Sequence, residues 1–97
     1  MKSADIAPMA REASELLDAM ANEKRLMILC MLLDGEIAVN DLAERVGMSQ
    51  SALSQQLAKL RALKLVDTRR EAQQIYYRLS SANVERVLET LYGIYCE

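Results

Sequence analysis

The sequence of 97 residues is 52% hydrophobic and 27% charged, with three Gly, one Pro and no His, Phe or Trp. This length and composition predict one folded, soluble domain with a modest core of its own. The longest apolar stretch, Leu26 to Leu33, is too short to cross a bilayer, and no basic and apolar leader precedes it. We therefore expect a cytoplasmic protein that does not bind a membrane.

The first part of the chain is predicted to form four helices, because apolar residues recur at helical spacing from Met9 to Met20 and again in three later segments. Residues 1–8, which precede the first helix, are expected to fray. Asn22 is suited to cap the second helix, and Ser49 is suited to cap the fourth. The third helix, Val39–Val46, ends at a glycine.

After the fourth helix the period of the apolar residues changes. Leu65–Arg70 and Ile75–Leu79 are short runs compatible with β-strands, and they predict a two-stranded hairpin. The intervening Glu71–Gln74 lacks the Gly or Asn that is typical of a tight hairpin loop. Ser80 or Ser81 is then placed to cap a last helix. The predicted fold is a single domain over residues 1–97, mainly α with a small β-hairpin.

The net charge of −2 conceals an uneven distribution of charge along these elements. Residues 1–44 carry four basic and nine acidic side chains, and residues 79–97 carry one basic and three acidic. Residues 45–78 carry seven basic and two acidic side chains, a net charge of +5. A basic segment within an acidic frame favours a local phosphate-binding face, although a solvated charged surface gives the same pattern.

The third and fourth helices, joined by a turn at residues 47–49, predict a helix-turn-helix over residues 39–62. The basic hairpin, residues 65–79, follows it as a wing. A recognition helix enters the major groove of DNA with short polar side chains near its N-terminus. The predicted contacts to double-stranded DNA are Gln50, Ser51, Ser54, Gln55 and Lys59 on the helix and Arg69, Arg70 and Arg78 on the hairpin. Taken singly, each of these side chains is equally compatible with an exposed surface.

Three motifs, Asn22–Leu26, Ser49–Leu57 and Gln74–Leu79, resemble the ArsR family of winged helix-turn-helix regulators. The similarity extends over the chain from about Ala10. It implies a homodimer built on the first and last helices, residues 10–21 and 81–96. It also implies that each protomer binds one half of a palindromic operator and is released by a signal at a sensing site. Gln56 departs from the family, in which His is frequent at that position.

Metal sensing, which is common in this family, is not predicted for this chain. The segment that holds a metal-binding cysteine pair in some members is here Glu36–Leu42, which contains no cysteine. A second type of site in the family uses His on the last helix, and this sequence has no His. Carboxylates alone are poor ligands for zinc, nickel or copper, so we expect no metal and no other cofactor.

Two cysteines, Cys30 and Cys96, are separated by sixty-six positions and form neither a CxxC pair nor a zinc knuckle. From residue type alone, Cys30 is a small buried residue and Cys96 an incidental thiol. However, Leu29–Leu32 and Tyr92–Cys96 resemble the branch of the family that contains biofilm-associated repressors and hemolysin regulators. That resemblance implies that the two cysteines form a redox-sensing dithiol. Reactive sulfur species or oxidants would link them by a disulfide, which needs Cα atoms within about 7 Å, or by a polysulfide.

Other classes of function compete with a DNA-binding regulator. The sequence offers no pair of nucleophile and base and no Gly-rich phosphate loop, so no enzyme and no catalytic residue is predicted. A protein-interaction module with a degenerate winged helix is the other class. Within the regulators, a repressor, an anti-silencing activator and a regulator with structural cysteines and another signal stay open.

Overall fold

Within residues 2–96, which the computed structural model describes, helices are combined with three short strands. Met1 and Glu97, the two ends of the predicted domain, lie outside the described residues. The elements are α1 Ser3–Ile6, a 3₁₀ turn Ala7–Met9, α2 Ala10–Met20, α3 Glu23–Leu32, β1 Ile37–Ala38, α4 Val39–Val46, α5 Gln50–Ala62, β2 Val66–Glu71, β3 Gln74–Leu79 and α6 Ala82–Tyr95. This arrangement confirms the prediction of a mainly α fold with a small β-hairpin. No helix of residues 2–96 is long and apolar enough to cross a membrane.

The N-terminal segment, expected to fray, instead forms the single helical turn α1 over residues 3–6. A local hydrogen bond from the Asp5 N–H to the Lys2 carbonyl, 3.1 Å long, helps to close this turn. Pro8 lies near the start of the 3₁₀ turn that follows, where its fixed φ is compatible with a helical turn. No side chain of α1 or of the 3₁₀ turn is buried, so local bonding rather than packing defines this segment.

Side-chain caps fix the start of three helices. Asn22 Oδ1 accepts the N–H of Arg25 at 3.1 Å, and Ser49 Oγ accepts an N–H of α5 at the same distance. Ser81 caps α6 in the same way at 3.2 Å. Ser80, the other candidate for that role, instead donates its hydroxyl to a backbone carbonyl ahead of β2. The caps at Asn22 and Ser49 therefore agree with the sequence, and the structure selects Ser81 over Ser80.

The turn between α4 and α5 is a Schellman motif centred on Gly47. Gly47 has φ 75°, in the left-handed region that favours glycine. The Met48 N–H donates to the Ala43 carbonyl at 3.0 Å, and the Gly47 N–H donates to the Glu44 carbonyl at 3.3 Å. These bonds close the carbonyl end of α4 and place Ser49 where it begins α5. The geometry of the helix-turn-helix is thus fixed by backbone hydrogen bonds.

The sheet has three strands in the order β1-β3-β2, all antiparallel, where the sequence predicted two. Strand β1 places Ile37 opposite Tyr77 and buries the Ile37 side chain. Two residues are too few to show an alternating pattern, which explains why the sequence did not reveal this strand. Its consequence is that the wing is bonded to the start of α4.

The hairpin loop is shorter than predicted. Glu71 pairs with Gln74 at the end of the ladder, so the loop consists of Ala72 and Gln73 alone. Ala72 has φ 56°, an unusual value for a residue with a Cβ atom. Because Ala72 occupies the position that Gly or Asn usually takes, the sequence signal for a tight turn was absent.

The core is aliphatic apart from one methionine and contains no buried polar or charged residue among those described. Its fully buried side chains come from four helices and are Ile28, Leu29, Leu32, Leu42, Leu53, Leu57, Leu60 and Val84. Leu63, which directly follows the last residue of α5, Ala62, is 56% exposed. The buried stripe of α5 holds the opposite face of that helix toward solvent.

Candidate functional site

Helix α5 presents a polar surface to solvent. All five residues predicted there are exposed: Gln50, Ser51, Ser54, Gln55 and Lys59. Leu53, Leu57 and Leu60 on the opposite face are completely buried, so the helix is fixed with its polar face outward. Amide and hydroxyl groups offer donors and acceptors to base edges, and lysine offers charge to phosphates. This face therefore has the chemistry of a major-groove reader.

One side chain of this surface already has a protein partner. Gln50 Nε2 donates a hydrogen bond of 2.8 Å to Asn40 Oδ1 on α4, and both side chains are exposed. The sequence pattern did not indicate Asn40. Two residues ten positions apart share no helical period, and only the turn at Gly47 brings them together. We call this pair the Asn40–Gln50 bridge.

A second polar contact connects the recognition helix to the N-terminal half of the molecule. Arg25 Nε donates to Gln56 Oε1 at 3.0 Å, and Arg25 Nη1 donates to the Ala19 carbonyl at 3.3 Å. The contact is partly buried and joins α3, α5 and the end of α2. Gln56, which departs from the family pattern, here accepts a hydrogen bond from an arginine. The sequence pattern indicated no such role for Arg25 or Gln56.

The three wing arginines are in different surroundings. Arg69 bonds to Glu36 through Nε and Nη2, bonds to Glu71 through Nη1 at 3.2 Å, and lies 4.7 Å from the ring centre of Tyr76. Glu36 and Glu71 hold the pKa of Arg69 above its already high ordinary value, and Arg69 holds the pKa of Glu36 below its usual range. Arg69 is thus engaged in joining the wing to the segment before β1.

Arg78 and Arg70 also differ in whether another side chain engages their charge. Arg78 lies 3.5 Å from Asp67, and the pKa of Asp67 is lowered by the N–H of Thr68 and then by Arg78. Arg70 is exposed and, among residues 2–96, no hydrogen bond or ion pair engages its side chain. Of the predicted wing contacts, Arg70 is therefore the one whose charge is fully available to a phosphate.

The two cysteines lie close enough to influence each other, although they are far apart in sequence. Both are exposed and neither is in a disulfide. Partial burial of the thiol raises the pKa of Cys30, and a negative charge on Cys96 raises it further. The interpretation of Cys30 as a buried core residue is wrong, because Cys30 lies on the outer side of α3. Cys96 follows α6 directly, and its N–H donates to the Tyr92 carbonyl at 2.8 Å.

The terminal helices leave large apolar side chains uncovered. Leu17 on α2 is 54% exposed, and Ile94 and Tyr95 on α6 are 62% and 80% exposed. A groove between the two helices is lined by Leu16, Val87 and Leu91. An apolar surface shared by two helices is typical of a protein interface. No group of three or more residues suited to hold a metal ion occurs in the described part of the chain.

Comparison with known proteins identifies the family to which this fold and this surface correspond. Residues 22–68 match the family described as bacterial regulatory protein, arsR family. The transcriptional activator HlyU of Vibrio cholerae is 56% identical over 86 residues, which is 89% of this chain and 80% of that protein. The relatives are transcriptional regulators, which agrees with the prediction that the chain is not an enzyme.

The fold of this chain also matches solved structures of regulatory proteins. The transcriptional repressor BigR from Xylella fastidiosa superposes with a TM-score of 0.94 at 39% identity, covering 100% of this chain and 99% of that one. The homodimeric winged helix-turn-helix domain of Mb0332 from Mycobacterium bovis has a TM-score of 0.77 at 32% identity, covering 96% and 86%. The predicted winged helix-turn-helix fold is therefore confirmed.

Proposed function

This chain belongs to the ArsR family of bacterial regulatory proteins, and from this premise we propose that it is a homodimeric repressor whose binding to a palindromic operator is switched by Cys30 and Cys96. That it is a DNA-binding transcriptional regulator follows from its family. The oligomeric state, the operator symmetry and the thiol switch are the further content of the proposal. The observation that carries it is that both thiols are exposed, one on α3 and one directly after α6, and that a charge on Cys96 raises the pKa of Cys30.

The DNA-contacting surface combines the start of α5 with the wing. We assign base contacts to Gln50, Ser51, Ser54 and Gln55 and phosphate contacts to Lys59, Arg70 and, after release from their carboxylates, Arg69 and Arg78. The exposure of all these side chains supports the assignment. Two copies of α5, one from each protomer, would then enter the major groove about one helical turn apart, or a multiple of it.

The dimer is proposed to form through α2 and α6, residues 10–21 and 81–96. The exposed apolar side chains of these helices support this, because a second copy would remove them from water. The homodimer described for Mb0332 gives a precedent in a protein of the same fold. The central helices, α4 and α5, are then left to bind DNA.

The switch is proposed to begin at Cys96. Because the raised pKa of Cys30 lowers the fraction of its reactive thiolate at neutral pH, Cys30 is the less suited thiol for the first attack. Cys96 takes a sulfur atom from an organic persulfide and releases the organic thiol. Overall, two cysteine thiols and two organic persulfides give a trisulfide bridge, two organic thiols and one hydrogen sulfide. The bridge ties the end of α6 to α3, and Arg25 on α3 contacts both the end of α2 and the recognition helix.

Alkylation kinetics test the role of Cys30. In a Cys96→Ser variant, iodoacetamide should modify Cys30 more slowly at pH 7 than it modifies an ordinary thiol. The rate should rise with pH through a midpoint above that of an ordinary thiol, because burial still favours the protonated form. A midpoint at or below the ordinary value would contradict the proposed order of attack.

The central experiment combines intact mass with DNA binding. Reduced wild-type protein is exposed to glutathione persulfide, hydrogen peroxide or oxidised glutathione. The intact mass of each sample is measured, and each sample is titrated with the duplex that the reduced protein selects. We expect one added sulfur atom with loss of two hydrogens after persulfide treatment, together with weaker DNA binding. Cys30→Ser and Cys96→Ser serve as matched controls that bind DNA when reduced and keep their DNA affinity after treatment, because neither variant can form the bridge. Unmodified thiols in all samples would refute the switch and leave the DNA-binding function intact.

Activation of transcription is the second candidate. It is favoured by the 56% identity to HlyU, which is named a transcriptional activator, while BigR is named a repressor. Both activities use the same DNA-binding surface and differ in the promoter that is occupied. A reporter fused to the selected site distinguishes them, since loss of the protein raises expression under a repressor and lowers it under an activator.

A further inference from the structure

We propose that Asn40 is a specificity-determining residue that holds the carboxamide of Gln50 in the orientation that reads an adenine. The inference rests on the proposed function, in which Gln50 contacts a base. Within residues 2–96, the Asn40–Gln50 bridge is the side-chain hydrogen bond that joins α4 directly to α5, with 2.8 Å between Gln50 Nε2 and Asn40 Oδ1. Both side chains are exposed, so the bridge lies on the surface that α5 offers to DNA.

The bridge leaves the adenine-reading groups of Gln50 unused. A glutamine carboxamide has one acceptor oxygen and two N–H donors. The bond to Asn40 occupies one N–H and leaves Oε1 and the second N–H. In the major groove adenine presents N7 as an acceptor and the N6 amino group as a donor. The remaining groups of Gln50 complement this edge.

The bridge also fixes which end of the carboxamide is the donor. The last torsion of a free glutamine is broad and roughly two-fold, so its oxygen and nitrogen exchange places readily. Turned by half a rotation, Gln50 Oε1 would face Asn40 Oδ1, and two acceptors repel. Without Asn40 the carboxamide can present two N–H groups or a reversed order to other base edges, including the O6 and N7 acceptors of guanine.

On DNA, Asn40 is itself expected to take one orientation. It is the second residue of α4, the helix that crosses the phosphate backbone in this arrangement. With Oδ1 occupied by Gln50, its Nδ2 group can donate to a phosphate oxygen. The turned amide would instead place Oδ1 against the phosphate charge. The two carboxamides therefore favour one joint orientation on DNA.

The test begins with the wild-type chain and a duplex library of about 30 random base pairs, or three helical turns. The selected duplex is then varied one base pair at a time, and dissociation constants are measured by fluorescence anisotropy. Gln50→Ala identifies the base pair that Gln50 reads. At this pair Asn40→Ala should lose about fivefold or more of the preference for adenine, with other positions unchanged. The double variant should discriminate no worse than Gln50→Ala alone.

Asn40→Asp separates orientation from affinity. Aspartate still accepts the N–H of Gln50, so the preference for adenine should persist. Its charge repels phosphates, so affinity should fall at every sequence and the fall should depend on salt. Glu44→Ala, an exposed change on the same helix, should leave the base preference unaltered. Thermal midpoints within a few degrees of wild type show that each variant is folded.

The outcomes distinguish this inference from the proposed function. If wild type selects no sequence, the proposed function fails and the inference fails with it. If wild type selects a sequence and Gln50→Ala changes a base preference but Asn40→Ala changes none, the inference alone is overturned. If Gln50→Ala changes none, the proposed base contact of Gln50 fails and the inference fails with it. Loss of the same base preference in both variants, with retention in Asn40→Asp, supports it.

Discussion

The central helices and the terminal helices of this protein have the same kind of apolar pattern, but they bury it differently. Leu53, Leu57 and Leu60 of α5 are completely inaccessible to solvent within a single chain. In α2 and α6, by contrast, Leu17 is 54% exposed and Ile94 is 62% exposed. A helical period therefore indicates that a face will be covered without indicating what covers it. In the centre the chain covers its own stripe, and at the ends we propose that a second copy does so.

The largest effect is expected on the free energy of unfolding, for a substitution in the buried stripe of α5. Leu57→Ala should lower the free energy of unfolding by about 2–5 kcal/mol, because it leaves a cavity in a fully packed site. Leu63→Ala is the matched control, since Leu63 is 56% exposed, and it should change the free energy by about 0.5 kcal/mol or less. Urea denaturation followed by circular dichroism measures both. Equal effects of the two substitutions would contradict the described core.

A change on the terminal helices should affect assembly more than folding. Leu17→Glu places a charge in the proposed interface and should yield monomers in sedimentation experiments. Affinity for a duplex with two half-sites should fall by about 100-fold, because simultaneous binding of two linked protomers is lost. Leu17→Met keeps an apolar side chain and serves as the control. A Leu17→Glu protein that sediments as a dimer would exclude this position from the interface.

The wing is a third exposed region, and we propose that it is covered by DNA rather than by a second copy. Arg70→Ala should reduce the slope of log affinity against log salt by about 0.9, the value of one phosphate contact, and leave the thermal midpoint unchanged. Arg69→Ala should lower the thermal midpoint, because Arg69 contacts Glu36, Glu71 and Tyr76. Anisotropy titrations over a range of salt and thermal melts provide both readouts. An altered midpoint for Arg70→Ala and an unaltered one for Arg69→Ala would reverse the two assignments.

The smallest effect is expected at the hairpin loop, which belongs to neither region. Ala72→Gly should raise the free energy of unfolding by about 0.5 kcal/mol, because glycine removes the left-handed strain at φ 56° and this gain exceeds its added entropy when unfolded. Gln73→Gly should lower stability, since Gln73 has no positive φ to relieve. If both glycines destabilise the protein, the strain at Ala72 is too small to matter.

The sequence alone predicted those parts of the site that depend on neighbouring residues. Asn22 and Ser49 were identified as caps because a capping side chain bonds to a backbone N–H only three residues further along the chain. The turn at Gly47 was likewise predicted, since only glycine adopts its φ without strain. The polar face of α5 followed from the helical period. These local features are sufficient to recognise the winged helix-turn-helix and its family in the amino-acid sequence.

Only the tertiary structure decided which of these side chains are already engaged and which lie together. The sequence treated Arg69, Arg70 and Arg78 alike, yet within residues 2–96 two of them meet carboxylates and Arg70 does not. It did not relate Asn40 to Gln50 or Arg25 to Gln56. It related Cys30 to Cys96 only through the family resemblance, whereas in the structure a charge on Cys96 raises the pKa of Cys30. Local signals are fixed by backbone geometry over a few residues. Contacts between distant residues depend on how the aliphatic core arranges the helices, and no period in the sequence records that arrangement.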